Sequence, residues 1–232
     1  MLFGYFWGDW TFIVLIPALI LTFWAQISVQ RAYRKYSRVP NVRGMTGEQA
    51  ARRILDANGL TDVRIETIAG EMTDHYDPRT NVIRLSQGVY GADTVAAVGI
   101  AAHEAGHAVQ YAQGYAPVKV RTAILPVCNI GSSAAMPLFF LGLFFSYDPL
   151  MMAGILAYAT VTLFQLVTLP VEFNASRRAL RALEDGGSLS FEDVKGARRV
   201  LRAAAMTYVA ALATSLLSLL RLLILANSRR RR

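Results

Sequence analysis

Residues 11–27, TFIVLIPALILTFWAQI, run without a single charged side chain. A run of this kind constrains the fold more than any other feature. Roughly 20 apolar residues in a helix cross the hydrocarbon of a bilayer, where the backbone must satisfy its own hydrogen bonds. Residues 125–145 and 150–169 are also long enough, and the link between them, SYDP, permits only a tight hairpin. Residues 203–220, between Arg202 and Arg221, form a fourth stretch whose flanking arginines are placed to snorkel to the interfaces. Three to four transmembrane helices are therefore expected.

Composition agrees with this reading. The 232 residues are 54% hydrophobic and 17% charged, against about 45–50% and about 25% for ordinary soluble domains. The formal charge of +8 does not indicate nucleic acid, because the aromatics sit inside apolar runs and are not interleaved with basic residues as a base-stacking surface requires. It is a topology signal instead. Residues 28–121 carry 12 Lys and Arg and residues 172–202 carry seven, whereas the segment before residue 11 and the SYDP link carry none. Basic residues collect on the cytoplasmic side, so both polar segments are expected there, in a multi-pass protein of the cell inner (plasma) membrane. The first stretch follows the aromatics Phe6, Trp7 and Trp10, precedes Arg31, Arg34, Lys35 and Arg38, and lacks a small-residue cleavage site, which reads as an uncleaved anchor with its N-terminus outside. A full fourth span would carry the RRRR tail, residues 229–232, to the outside. That helix is therefore either spanning, with its tail tolerated there, or re-entrant or interfacial. The lone Cys128 lies in an apolar run and reads as a packing residue.

The chain thus divides into an anchor (1–30), a cytoplasmic unit (31–122), a membrane hairpin (123–170), cytoplasmic helices (171–202) and a C-terminal hydrophobic helix with a basic tail (203–232). In the second part, TGEQAARRILDANGL opens with a capping box, Thr46 to Gln49, and stops at Asn58-Gly59. Residues 62–69 and 81–86 read as short strands, with DHYDPRT turning at Asp77-Pro78 between them. They form a sheet of two to four strands. A helix then starts at or near Asp93, stops at Gly114 and is apolar on nearly all sides, which means burial within the protein or at the membrane surface.

That buried helix contains AAHEAGHAVQ. His103 and His107, four residues apart, share a helix face and can converge on one ion, while Glu104 is turned beside it, where it can take a proton from a bound water. This is the HExxH spacing of zincins, against which the competing reading is two histidines satisfied by hydrogen bonds in a core. Catalytic zinc takes three protein ligands and leaves a position open. No histidine follows His107, so the third ligand is expected to be a carboxylate from a later helix. Glu172, in TLPVEFNASRRALRALE with Pro170 starting a new helix, is the best placed; a glutamate favoured by the helix dipole is its competing reading. His75 and Tyr76 are candidate oxyanion donors. His75, with Asp74 and Asp77 beside it, could also bind a second metal or be an ordinary turn residue. Arg177 and Arg178 could contact a substrate carbonyl or Glu104, or simply flank the membrane.

Through TGEQAARRILDANGL, TDHYDPRTNVIRLS, AAHEAGHAVQ, FQLVTLPVEFNASRRAL and KGARRVLRAAAMTYVAA, the chain resembles the YugP-like neutral zinc metallopeptidases, membrane proteins of bacteria. More distantly it is similar to HtpX-type and prenyl-protein proteases. The resemblance implies Zn2+ held by His103, His107 and Glu172, with Glu104 as catalytic base. Those wider relatives carry Asp four residues after the ligand glutamate; here that position is Ser176, so Asn174 and Ser176 are both open as the group that orients the first histidine.

The fold class expected is an α+β membrane protein, mostly helical, with a small zincin-like cytoplasmic helix-plus-sheet unit. The function expected is a zinc metalloendopeptidase of the gluzincin type, cutting peptide or membrane-protein substrates at the cytoplasmic membrane face. The edge near residues 81–86 would hold the substrate by strand addition. The alternative is a zinc-containing membrane scaffold or quality-control adaptor without proteolytic activity.

Overall fold

With no water in hydrocarbon to accept its hydrogen bonds, an uncharged run folds as helix, and helices dominate this chain. A computed structural model describes residues 10–187 and 189–230; Phe6, Trp7, Arg231 and Arg232 lie outside the described residues. A 3-10 turn, Trp10–Leu15, leads into α1 (Ile16–Tyr36), followed by α2 (Gly47–Ala57), β1 (Arg64–Ile68), β2 (His75–Asp77), β3 (Val82–Ser86), the short α3 (Gln87–Tyr90), α4 (Val95–Ala112), α5 (Ala116–Phe145), α6 (Asp148–Asp185) and α7 (Phe191–Arg230). Four helical segments are long and apolar enough to cross a membrane: Trp10–Tyr36, Ala116–Phe145, Asp148–Asp185 and Phe191–Ser228.

The chain forms two units. One comprises Met1–Trp24, Val120–Leu169 and Tyr208–Arg232. Its core gathers Phe139, Met151, Ile155, Leu222 and Ala226. At Gly154 a Cβ would lie 2.5 Å from the Phe139 nitrogen, the close backbone approach that small residues permit between apolar helices. Arg221 is not merely a snorkelling end residue: its Nε donates to Thr11 Oγ1 at 3.1 Å and its guanidinium lies 3.8 Å from the Phe12 ring centroid, within the range for a cation–π contact.

The other unit comprises Ala25–Lys119 and Pro170–Thr207. Its core unites Ile54 and Leu55 of α2, Ile83 and Leu85 of β3, Val95 and Val98 of α4, Leu183 of α6 and Leu201 of α7. The expected capping box at Thr46 and Gln49 is present. The α4 boundaries are tighter than expected, because Thr94 supplies the N-cap by accepting from the Ala97 N–H. Buried Asn41 secures the approach to both helices: its Nδ2 donates to the Met45 and Asp93 carbonyls, and its Oδ1 accepts from the Met45 N–H. A second capping box starts α7, where Ser190 Oγ accepts from the Asp193 N–H while Asp193 Oδ2 accepts from the Ser190 N–H.

Three sequence expectations need correction. The sheet has three strands in the order β1-β3-β2, with β1 parallel and β2 antiparallel to β3. Residues 81–86 therefore belong to the centre of the sheet, and the edge strands are β1 and β2. The segment read as a turn holds β2, because His75 to Asp77 pair with Arg84 to Val82 before Pro78 ends the ladder. Pro170 does not start a helix; it lies inside α6. A proline removes one N–H, and breaking the helix there would strip further backbone groups of partners.

Gly106 of α4 faces α6 at the closest approach of these two helices: an added Cβ would lie 2.7 Å from the Ala175 carbonyl oxygen. Because backbone and not a flexible side chain stands in the way, Gly106→Val is expected to destabilise the protein by about 1–3 kcal/mol, read as a lowered denaturation midpoint in detergent. An unchanged midpoint would contradict this packing.

Candidate metal centre

The helical spacing of His103 and His107 turns both rings to one side of α4, with centroids 4.7 Å apart and planes at 82°. Opposite them, α6 contributes Glu172, which is only 2% exposed. His103 Nε2 lies 3.3 Å and His107 Nε2 3.5 Å from the same oxygen, Glu172 Oε2. A tetrahedral zinc with bonds of about 2.0–2.1 Å separates its ligand atoms by about 3.4 Å, so both imidazole-to-carboxylate separations stand at the spacing one ion requires, and all three donor atoms lie within 4.8 Å of one another. Two imidazoles and a carboxylate also suit zinc chemically. Among the described residues this is the group of three that could hold a metal ion.

The nitrogens turned away from Glu172 are engaged. His103 Nδ1 lies 3.1 Å from Ser176 Oγ, and His107 Nδ1 lies 3.0 Å from Gln110 Oε1. Ser176 is thus the partner of the first histidine, and Asn174 is not. Asn174 Oδ1 accepts from Gln110 Nε2 at 2.9 Å and from Arg178 Nε at 2.7 Å. Burial pulls the His107 imidazole down, but the Glu172 and Glu104 carboxylates and Gln110 outweigh it and raise its pKa.

Glu104, 8% exposed, is held from the sheet side. The Tyr76 backbone N–H on β2 donates to Glu104 Oε2 at 3.0 Å. The Tyr76 side chain is committed elsewhere: its hydroxyl donates to Asn81 Oδ1 at 2.9 Å, and its ring meets Tyr111 edge-on at 5.6 Å. Burial, followed by Tyr111, Asp62 and Asp77, pushes the phenol pKa up. His75 Nδ1 lies 2.8 Å from the Thr73 carbonyl oxygen. The acids beside His75 have their own donors. Asp74 accepts from the Ser86 N–H and hydroxyl. Asp77 accepts from Thr80, the Arg79 N–H and Arg84, which bring its carboxyl down to about 2. These three residues are not gathered as a second metal group. Arg178 is engaged by Asn174, Gln113 and the Tyr115 ring, and no contact joins it to Glu104. Sequence reading passed over Gln110. Its signal was a further polar residue, three positions beyond His107, in a helix made mostly of small and apolar residues.

Helices able to cross a membrane, together with a His–His–Glu cluster built around the buried Glu172, define a membrane protein with a candidate metal centre. The chain belongs to the zinc peptidase family described as "Putative neutral zinc metallopeptidase", whose model matches residues 11–227. It is 46% identical over 215 residues to a Bacillus subtilis (strain 168) protein named "Putative membrane protease YugP", covering 92% of this chain and 96% of that one. No solved structure matches. Zinc is the metal the family implies, and His103, His107 and Glu172 are the residues able to hold it. The family implies peptide substrates, and the apolar helices imply a lipid environment.

Removing a coordinating group should cost more than removing an outer-shell partner, which costs roughly 10–100-fold in metal affinity. Glu172→Ala and His103→Ala are each expected to weaken zinc binding beyond that range in chelator competition. Retention of wild-type affinity by either would remove that residue from the ligand set.

Proposed function

We propose that the protein is a membrane-embedded zinc metalloendopeptidase of the gluzincin type, with His103, His107 and Glu172 as metal ligands and Glu104 as general base. The observation that carries this reading is the approach of both imidazole Nε2 atoms to one Glu172 oxygen, with the Glu104 carboxylate on the adjoining turn. Bound zinc would act as a Lewis acid on the scissile carbonyl and lower the pKa of a water. Glu104 would take the proton of the attacking water and deliver it to the leaving amine, which needs a carboxylate that is oriented and ionised when the peptide arrives. The N–H of Tyr76 supplies that orientation. A purely structural zinc has no use for such a base.

The proposed site faces the cytoplasm in a multi-pass protein of the cell inner membrane. This rests on the basic residues of 28–121 and 172–202 and their absence from the SYDP link. The small helix-plus-sheet part within residues 31–122 would then be a zincin-like unit. Residues 1–30 would be an anchor and 123–170 a hairpin, residues 171–202 would bring the third ligand, and the hydrophobic helix of 203–232 would close the chain. Substrates of this proposed site are unfolded or membrane-adjacent peptide segments on the cytoplasmic side.

Glu104→Gln is expected to retain zinc while losing about 10²–10⁴-fold in peptide hydrolysis, measured with membrane-protein fragments and the purified protein. If that variant cuts as fast as wild type, the base assignment fails. If zinc-loaded wild type cuts nothing in a membrane lysate, the peptidase reading fails. For orientation, in a Cys128→Ser background, Tyr147→Cys should react with an impermeant thiol reagent in intact cells and Arg53→Cys should not. The reverse labelling would invert the topology.

A further inference from the structure

Gln110 has no exposed surface, and a buried amide is costly unless its donors and acceptor are used. All are used here. Its Nε2 donates to the Val171 carbonyl at 2.8 Å and to Asn174 Oδ1 at 2.9 Å, and its Oε1 lies 3.0 Å from His107 Nδ1.

The orientation of this amide follows from two groups that each play one role. A backbone carbonyl can only accept, so the NH₂ of Gln110 must face Val171 and its oxygen must face His107. A guanidinium can only donate, so the Asn174 atom that meets Arg178 Nε at 2.7 Å must be its oxygen, and that same oxygen receives the second Gln110 proton. Arg178 is held in turn, with Nη1 donating to Gln113 Oε1. With an oxygen facing it, His107 Nδ1 carries a proton, so in the neutral imidazole the lone pair is on Nε2, the atom aimed at Glu172. His103 has no comparable constraint, since the Ser176 hydroxyl 3.1 Å from its Nδ1 can donate or accept.

We propose that Gln110 is a positioning residue of the metal centre: it fixes His107 in the Nδ1–H tautomer and ties that histidine to the segment of α6 that carries Glu172. The inference rests on the metal-site reading given above. It deepens that reading by making the centre depend on a residue that touches neither the ion nor a substrate. The two histidines should therefore respond unequally. Loss of the Ser176 hydroxyl leaves His103 free to choose its tautomer, whereas loss of the Gln110 amide frees His107 and also uncouples it from Val171 and Asn174.

The test uses the full-length protein in detergent and reads zinc affinity by chelator competition, together with the absorption spectrum of the cobalt-substituted form. Gln110→Leu is expected to weaken zinc binding roughly 10–100-fold and to change the cobalt spectrum, with a smaller effect from Ser176→Ala. Gln110→Glu keeps an acceptor for His107 but sets a carboxylate against Val171 and Asn174, and should fall between wild type and Gln110→Leu. A folded Gln110→Leu with wild-type zinc affinity and an unchanged cobalt spectrum overturns the proposal while leaving the metal site standing. If the wild type takes up no zinc, both readings fail. Should Gln110→Leu not fold, nitrogen-15 spectra of the metal-free wild type, at a pH high enough to leave His107 neutral, decide: a proton on Nδ1 with Nε2 bare supports the lock, and a proton on Nε2 with Nδ1 bare overturns it.

Discussion

Two partly buried imidazoles converge on one buried carboxylate, beside a core built from alanine, valine, leucine and isoleucine. Charged groups in such surroundings must be neutralised and their hydrogen bonds satisfied, or the fold is lost. The rest of the unit is arranged to meet that demand. Gly106 lets the backbone of α4 reach the Ala175 carbonyl, so that side chains as short as serine and asparagine can bridge the helices. Ser176 and Gln110 then engage the ring nitrogens that His103 and His107 turn away from Glu172, and Asn174 holds Gln110.

The division of labour between the two helices is lopsided. α4 brings both nitrogen donors and Glu104 on adjoining turns of one rigid element. α6 brings the single carboxylate, the serine beside His103, and the asparagine and backbone carbonyl that hold Gln110. The precision of the centre therefore comes from how these two helices meet, and each polar contact between them also serves to align them.

Much of this was legible in the sequence, for specific reasons. Uncharged runs and helical spacing are local signals, and they disclosed the apolar helices, the capping box at Thr46 and the face shared by His103 and His107. Glu172 was reached by elimination, since few acids follow the histidines. What stayed hidden was non-local or too short to leave a period. A three-residue strand beside Asp77-Pro78 looks like a turn because its pairing partner is β3. The central place of β3 depends on which neighbours it finds, and one strand's residues do not encode that. Pro170 is a strong local stop signal that was overridden by the helix on either side of it. Gln110 is an ordinary helix former by propensity, and its importance emerges only from what lies across the interface.

The contact from Tyr76 to Glu104 has a further consequence. In an antiparallel pair, alternate residues of a strand aim their N–H groups at the partner and away from it. Since that of Tyr76 is given to Glu104, β2, three residues long, turns its other two amides towards β3. Bare strand edges are templates on which other chains polymerise. Here the outward amide of β2 is spent on Glu104, so at Tyr76 the strand has no N–H left for another chain to pair with.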